Sequence, residues 1–313
     1  MQRTHLNCLA VAALITAAAP AFAQSSVAVY GRLNTSVENQ QVGSASSKWV
    51  EQNNSSRLGF RGTEDIGGGI KAGFTIEHGF HSDDGTANSA TAFWNRRSEL
   101  NLTLSSLGTI RLGKFFSEAY FATADYVSMH NHDTGTSSDA LYAYVAGDNN
   151  KVAYHSPTFS GATVDFARSF GEGVTNATYD AAVNWDGGPL HLGGGYSKND
   201  ADHQFAVRGL YEMGAFTFGG YVQRDKNAAG NRSNVRLSGM YTMDATEFHL
   251  NFGKAGDRGS IANSGAKQFT AAVNYNLSKR TKVYAFYTKV DDEGAGLYGG
   301  DFRSVAFGVR HNF

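Results

Sequence analysis

Cysteine, proline and long apolar runs are all scarce in this sequence, and each scarcity closes off a class of protein. Its 313 residues hold 1 Cys and 3 Pro. The single thiol, Cys8, can form no intrachain disulfide and no thiolate metal cluster. It precedes the apolar run 9–19, whereas the cysteine of a lipid-anchored protein would follow such a run. After residue 23 no stretch of about 18 apolar residues occurs, so no membrane-spanning helix is expected. An excess of one charge is missing too: 27 Lys+Arg stand against 28 Asp+Glu, a formal net charge of -1, which offers nucleic acid no basic partner.

Glycine, at 37 residues, and aromatic side chains, at 12%, are plentiful, a composition of strands and tight turns rather than helices. The N-terminus stands apart. Arg3 precedes the apolar run, which closes on Ala21-Phe22-Ala23, the order of a secretory signal peptide cut before Gln24. On that reading residues 1–23 are removed with one basic residue, and the remaining domain, 24–313, carries 26 basic against 28 acidic residues, or -2.

From Gln24 onward the sequence breaks into segments of about ten residues that alternate apolar with polar, the pattern of strands with two unlike faces. In 27–38, Val27, Val29, Gly31, Leu33 and Val37 share one face while Tyr30, Arg32, Asn34, Ser36 and Glu38 share the other. The same division recurs in 70–77, 204–211, 234–241, 268–275 and 303–313, and sixteen such segments can be counted. Their connections alternate in length. Short ones fall at 64–69, 105–108, 156–161, 186–189, 212–215, 243–245 and 277–281; longer ones at 39–55, 78–92, 115–150, 171–177, 198–202, 225–233, 254–265 and 289–301. Pro157 and Pro189 both lie in short turns, where a missing N–H breaks no ladder.

A sandwich that buries its apolar faces between two sheets has no reason to sort its connections by length. A transmembrane barrel does, with tight turns on one side and long loops on the other, its oily face to lipid and its polar face to a lumen. Closure also leaves no unpaired backbone in hydrocarbon. The expected fold is therefore all-β: a 16-stranded antiparallel transmembrane β-barrel with short periplasmic turns and long extracellular loops. In the last segment Phe313 shares the apolar face with Val305, Phe307 and Val309 and is expected at the membrane–water boundary, where aromatic girdles form.

A barrel of this size leaves an aqueous channel, and the longest connection, 115–150, is the candidate to narrow it. Parity places Arg32, Arg57, Arg61, Lys71, Arg97 and Arg111 on the lumen side, because an arginine facing lipid at mid-membrane costs about 2–4 kcal/mol. The long connection supplies Glu118, Asp125, Asp133, Asp139 and Asp148, with Glu38, Glu77 and Glu99 on neighbouring walls. A basic wall across from an acidic loop would set a transverse field over the narrow zone, and the basic excess in the first five segments suggests a mild anion preference, with the loop acids acting in the opposite sense and able to reverse it. Arg96, Arg168 and Arg303 break the parity and, lying near segment ends, are expected at interface or headgroup level.

Several stretches carry a resemblance: SSVAVYGRLN from Ser25, SSRLGFRGTEDIGGGIKAGF from Ser55, WNRRSELNLTLSSLGTIRLGK from Trp94, HSPTFSG from His155, YNLSKRTKVYAFY from Tyr275 and FGVRHNF from Phe307. Together they resemble the general-diffusion porins of Gram-negative β-proteobacteria over essentially the whole chain after residue 23. The resemblance implies a homotrimer in the outer membrane, embedded in lipid and lipopolysaccharide, with the third long loop folded into the lumen and passive diffusion of small hydrophilic solutes as its work. It also implies that Phe313 acts as an assembly signal read by the barrel-insertion machinery.

Other chemistries find little support. His130, His132 and Asp133 lie close together, as do His78, His81, Asp83 and Asp84, but such clusters in loops are more often solvated than metal-bound. No serine stands in a GxSxG elbow, so no enzyme, metal or cofactor is expected. A non-conducting structural or adhesin-type outer-membrane barrel is the alternative in a different class.

Overall fold

The computed structural model describes residues 26–130 and 140–313. The proposed signal segment 1–23 lies outside them, as do His132, Asp133 and Asp139. Seventeen strands form one antiparallel sheet: β1 (Ser26–Val42), β2 (Lys48–Asn53), β3 (Arg57–Gly67), β4 (Ile70–Gly79), β5 (Arg97–Leu104), β6 (Gly108–Lys114), β7 (Lys151–His155), β8 (Ala162–Ser169) and β9 (Thr178–Gly187). They continue as β10 (Leu190–Asn199), β11 (Asp202–Met213), β12 (Phe216–Asn227), β13 (Gly230–Met243), β14 (Thr246–Ala255), β15 (Ala266–Asn276), β16 (Thr281–Asp292) and β17 (Phe302–Asn312). β2 and β3 both pair with β1 and form one crossing interrupted at 54–56, so the barrel has sixteen staves. No described helix is long and apolar enough to cross a membrane; the strands make the crossing.

Closure comes from β1, which pairs with β3 and β2 along one edge and with β17 along the other, from Arg32 opposite Asn312 to Val42 opposite Phe302. The seam continues one residue further. Phe313 N donates to Gly31 O at 3.1 Å and Gly31 N donates to Phe313 O at 3.0 Å. A Cβ on Gly31 would stand 2.5 Å from the Phe313 ring, so the ring fits only because glycine is there. The interruption of the second stave is filled from across the lumen face: Asn54 Nδ2 donates to Ser36 Oγ at 2.7 Å and to Tyr284 Oη at 2.9 Å, and Asn34 N donates to Ser56 Oγ at 3.1 Å.

Sidedness is the reverse of a soluble domain. Val27 is 68% exposed, Leu237 61% and Phe307 59%, whereas Asn34 and Gln223 are fully buried on the inner face. Alternation along each strand produces this directly, since successive side chains point to opposite faces. The outer belt gains its stabilisation from acyl chains rather than from a protein core.

Two connections differ from the expectation. Those at 198–202 and 225–233 shrink to two-residue turns, because β10–β11 and β12–β13 keep pairing out to Asn199 opposite Asp202 and Asn227 opposite Gly230. Polar residues at these tips obscure the alternation while the backbone ladder runs on. Likewise, part of the 39–55 connection is strand, in β2.

Candidate functional site

The described parts of the connection, 115–130 and 140–150, fold into the barrel, and its first turn is fastened to the wall. Ser117 caps a short helical segment, Glu118–Tyr120, by accepting from Tyr120 N at 3.1 Å. The free N–H groups of such a helix start favour an anion, and β9 provides one. Asp180 accepts from Glu118 N at 2.6 Å, Ala119 N at 3.1 Å, Ser117 Oγ at 3.1 Å and Ser197 Oγ at 2.9 Å. Lys151, on β7 and almost fully buried, completes the group with its Nζ 3.3 Å from Asp180 Oδ2 and 3.1 Å from the Phe116 carbonyl. Beneath it Phe115 packs, wholly buried, against Ala153 and Ala167.

The segment continues as a π-helical turn, Phe121–Asp125, along β10–β12. Its seat is a groove of glycines on inward positions. A Cβ on Gly195 would lie 2.5 Å from Ala119 Cα, one on Gly193 2.7 Å from the Ala122 carbonyl, and one on Gly219 3.2 Å from Val127. The wider π turn leaves carbonyls without a helical partner, and Arg208 Nε takes up that of Ala122 at 2.9 Å while its guanidinium covers the Tyr126 ring. Ala124 and Val127 bury themselves against Leu210 and Tyr221.

Further along, His130 reaches the far wall. Its Nδ1 lies 3.0 Å from Asn274 Oδ1 and its ring 5.3 Å from that of His249. Burial pushes the His130 imidazole down to about 3, with His249 adding to the effect, so it stays neutral. On the return path Leu141 packs with Ala255, Ala266 and Val290. Ala143 then exchanges two 2.9 Å hydrogen bonds with Gln223 of β12. The described parts of the loop thus lie on the β8–β16 side of the lumen, across from β1–β5.

Between the loop and that opposite side lies a cavity of about 730 Å³. Its wall carries Arg57, Arg61, Arg97 and Glu77, and its loop side carries Asp125 and Asp148. Arg96 joins them, contrary to its parity: it precedes β5, where the strand count does not yet apply, and its Nε meets Glu77 Oε1 at 2.6 Å. Asp148 accepts from Tyr144 Oη at 2.6 Å, and burial pushes both its carboxyl and the Tyr144 phenol up.

The remaining expected residues lie elsewhere. Arg111 is bound by Glu99 at 2.9 Å and Glu118 at 2.6 Å beside the loop entry, where burial raises the Glu118 carboxyl. Arg32 donates to Asn312 at 3.1 Å along the closing seam. Lys71 is exposed beside the tight turn that opens β4. Glu38 is buried among Ser36, Gln40 and Ser304. Arg168 lies near the end of β8 over the rings of Phe170 and Tyr179, and Arg303 is the second residue of β17.

A closed barrel of sixteen staves with a loop folded inside is the architecture against which comparison is decisive. The family model for Gram-negative porins matches residues 10–295. The chain belongs to the Gram-negative porin family. It is 29% identical to outer membrane porin protein 32 of Delftia acidovorans over 96% of this chain and 98% of the relative. It is 25% identical to the major outer membrane protein P.IB of Neisseria meningitidis over the same shares, 96% and 98%. Among solved structures, the anion-selective porin from Comamonas acidovorans superposes with a TM-score of 0.78 at 25% identity, covering 93% of this chain and 100% of that one. A trimer form of OmpT from Vibrio cholerae shares the fold, with a TM-score of 0.69 at 18% identity over 92% and 99% of the two chains. The porin lies in the outer membrane and acts as a channel.

Asp180 and Lys151, which fasten the loop, and the glycine groove that receives it are not among the residues the sequence singles out. A signal existed for Asp180: alternation in 178–187 sets it on the inner face with Thr178 and Ala182. The groove has a measurable consequence. Gly195→Val places new atoms against Ala119, and overpacking of this kind costs about 1–3 kcal/mol. The loop is expected to shift toward the passage, and planar-bilayer recording should show a smaller single-channel conductance than wild type; an equal or larger one would mean the seat has room that the geometry denies.

Proposed function

We propose that this porin, cleaved after Ala23 and assembled as a homotrimer, passes small hydrophilic solutes without catalysis and favours anions over cations. The carrying observation is the charge on the cavity lining. Among the described residues, four guanidiniums, Arg57, Arg61, Arg96 and Arg97, stand against three carboxylates, Glu77, Asp125 and Asp148. Glu77 is engaged by Arg96, which leaves Arg57, Arg61 and Arg97 against Asp125 and Asp148, so the positive side prevails. Guanidinium groups stay charged when crowded, which suits them to this role. The relative from Comamonas acidovorans, described as anion-selective, supports the sign. The Phe313 ring at the seam supports a part in assembly, with lipopolysaccharide around the barrel and the insertion machinery as the reader of that residue.

The test is the reversal potential of the purified porin in a planar bilayer under a KCl gradient. A potential of the sign set by chloride, with ohmic steps grouped in threes, is expected. A cation-set potential would reject the arginine wall as the selecting element. Absence of current would favour the non-conducting barrel.

A further inference from the structure

The loop side of the passage is aromatic as well as acidic. Phe116, Tyr120, Phe121, Tyr142 and Tyr144 all line the cavity and form one connected cluster. Phe116 and Phe121 meet edge to face at 6.1 Å and 88°, Tyr120 meets Tyr142 at 5.5 Å and 63°, and Tyr120 meets Tyr144 at 5.5 Å and 65°. None is fully buried, and Tyr144 is 40% exposed. Passage of hydrated ions gains nothing from a bank of rings turned toward water, which leaves apolar area uncovered.

Opposite the rings stand Arg61 and Arg97. Aromatic and guanidinium groups are already matched here at contact distance: Arg96 covers the Phe116 ring at 5.2 Å and Arg61 covers Tyr30 at 5.2 Å. Because Arg96 belongs to the wall side and Phe116 to the loop, the first pair also shows how closely the two sides approach. Beside that contact the cavity of about 730 Å³ is ample for one small molecule.

We propose that the passage holds a subsite for aromatic monocarboxylates, with the arene against the ring cluster of the loop and the carboxylate on Arg61 and Arg97. This rests on the anion-conducting reading and narrows its substrate class. Arginine holds a carboxylate through paired N–H donors, and aromatic rings favour offset or edge-to-face partners over saturated ones. A second carboxylate at the far end of the ring would meet Asp125 and Asp148, so one carboxylate is favoured over two.

The experiment compares benzoate, cyclohexanecarboxylate and terephthalate as interrupters of the chloride current through single channels. The two monoanions match in charge and in size, and differ in the π system. Benzoate is expected to interrupt the current at about fivefold lower concentration than cyclohexanecarboxylate, the order that ring–ring contact supplies, and terephthalate to be weaker than benzoate. In Phe116→Leu and Tyr120→Leu the ratio of the two monocarboxylates should fall toward one, with chloride steps reporting that the channel is folded. Equal interruption by the two monocarboxylates in the wild-type porin would overturn the subsite while leaving the anion channel in place. A cation-set reversal potential or absent chloride current would overturn it by removing the path on which it depends.

Discussion

Asp180→Ala should release the helical segment Glu118–Tyr120 from the barrel wall and turn a steady conductance into a larger, fluctuating one. The carboxylate receives two backbone N–H groups and two hydroxyls of the loop and its surroundings, and its removal strands Lys151, whose side chain is 1% exposed. Breaking a buried ion pair by deleting one partner costs about 3–5 kcal/mol. That exceeds what the short cap alone returns, about 1 kcal/mol, so the wall contact rather than the helix decides where the segment rests. Asp180→Asn, which keeps an accepting oxygen but not the charge opposite Lys151, should give an intermediate conductance. Single-channel recordings of the two variants beside the wild type check this, and a conductance in Asp180→Ala equal to wild type would show that the glycine groove and His130 suffice to hold the loop.

The second large effect is electrical. Arg61→Glu combined with Arg97→Glu converts four guanidiniums and three carboxylates on the lining to two and five, and the reversal potential in a KCl gradient should change sign. Both sites belong to the wall between β3 and β5 and do not fasten the loop, so the change acts on the field more than on the shape. Screening sets the size of the effect. With a Debye length of about 10 Å at 0.1 M and 3 Å at 1 M, the shift should be large in dilute salt and much reduced in concentrated salt. A potential that stays chloride-set in dilute salt would move selectivity to residues outside this lining.

The parts of this porin that were legible in its sequence are those fixed by neighbours along the chain. Alternation in 27–38 or 268–275 needs only the pleat of one strand, and from it follow the sixteen staves, the lipid-facing stripe and the inward arginines at 57, 61 and 97. Arg96 departs from the expected interface level for the same reason: one residue ahead of β5 the pleat no longer governs direction. Contacts between remote segments were not legible at all. Asp180 meets Ser117, and His130 meets Asn274 across 144 positions, because the folded loop brings them together. No spacing rule contains that information. The two-residue turns after β10 and β12 fall between these cases, since polarity at a hairpin tip is the same whether the tip is a loop or a continued ladder.

The glycines at 193, 195 and 219 set the loop back into the thickness of the barrel staves. The space that the loop occupies is thereby taken largely from the enclosure itself and only in part from the opening. It follows that the calibre available to a travelling solute is written partly at sites no solute ever meets, and that relatives with bulkier residues there would be narrower conduits even with identical rims.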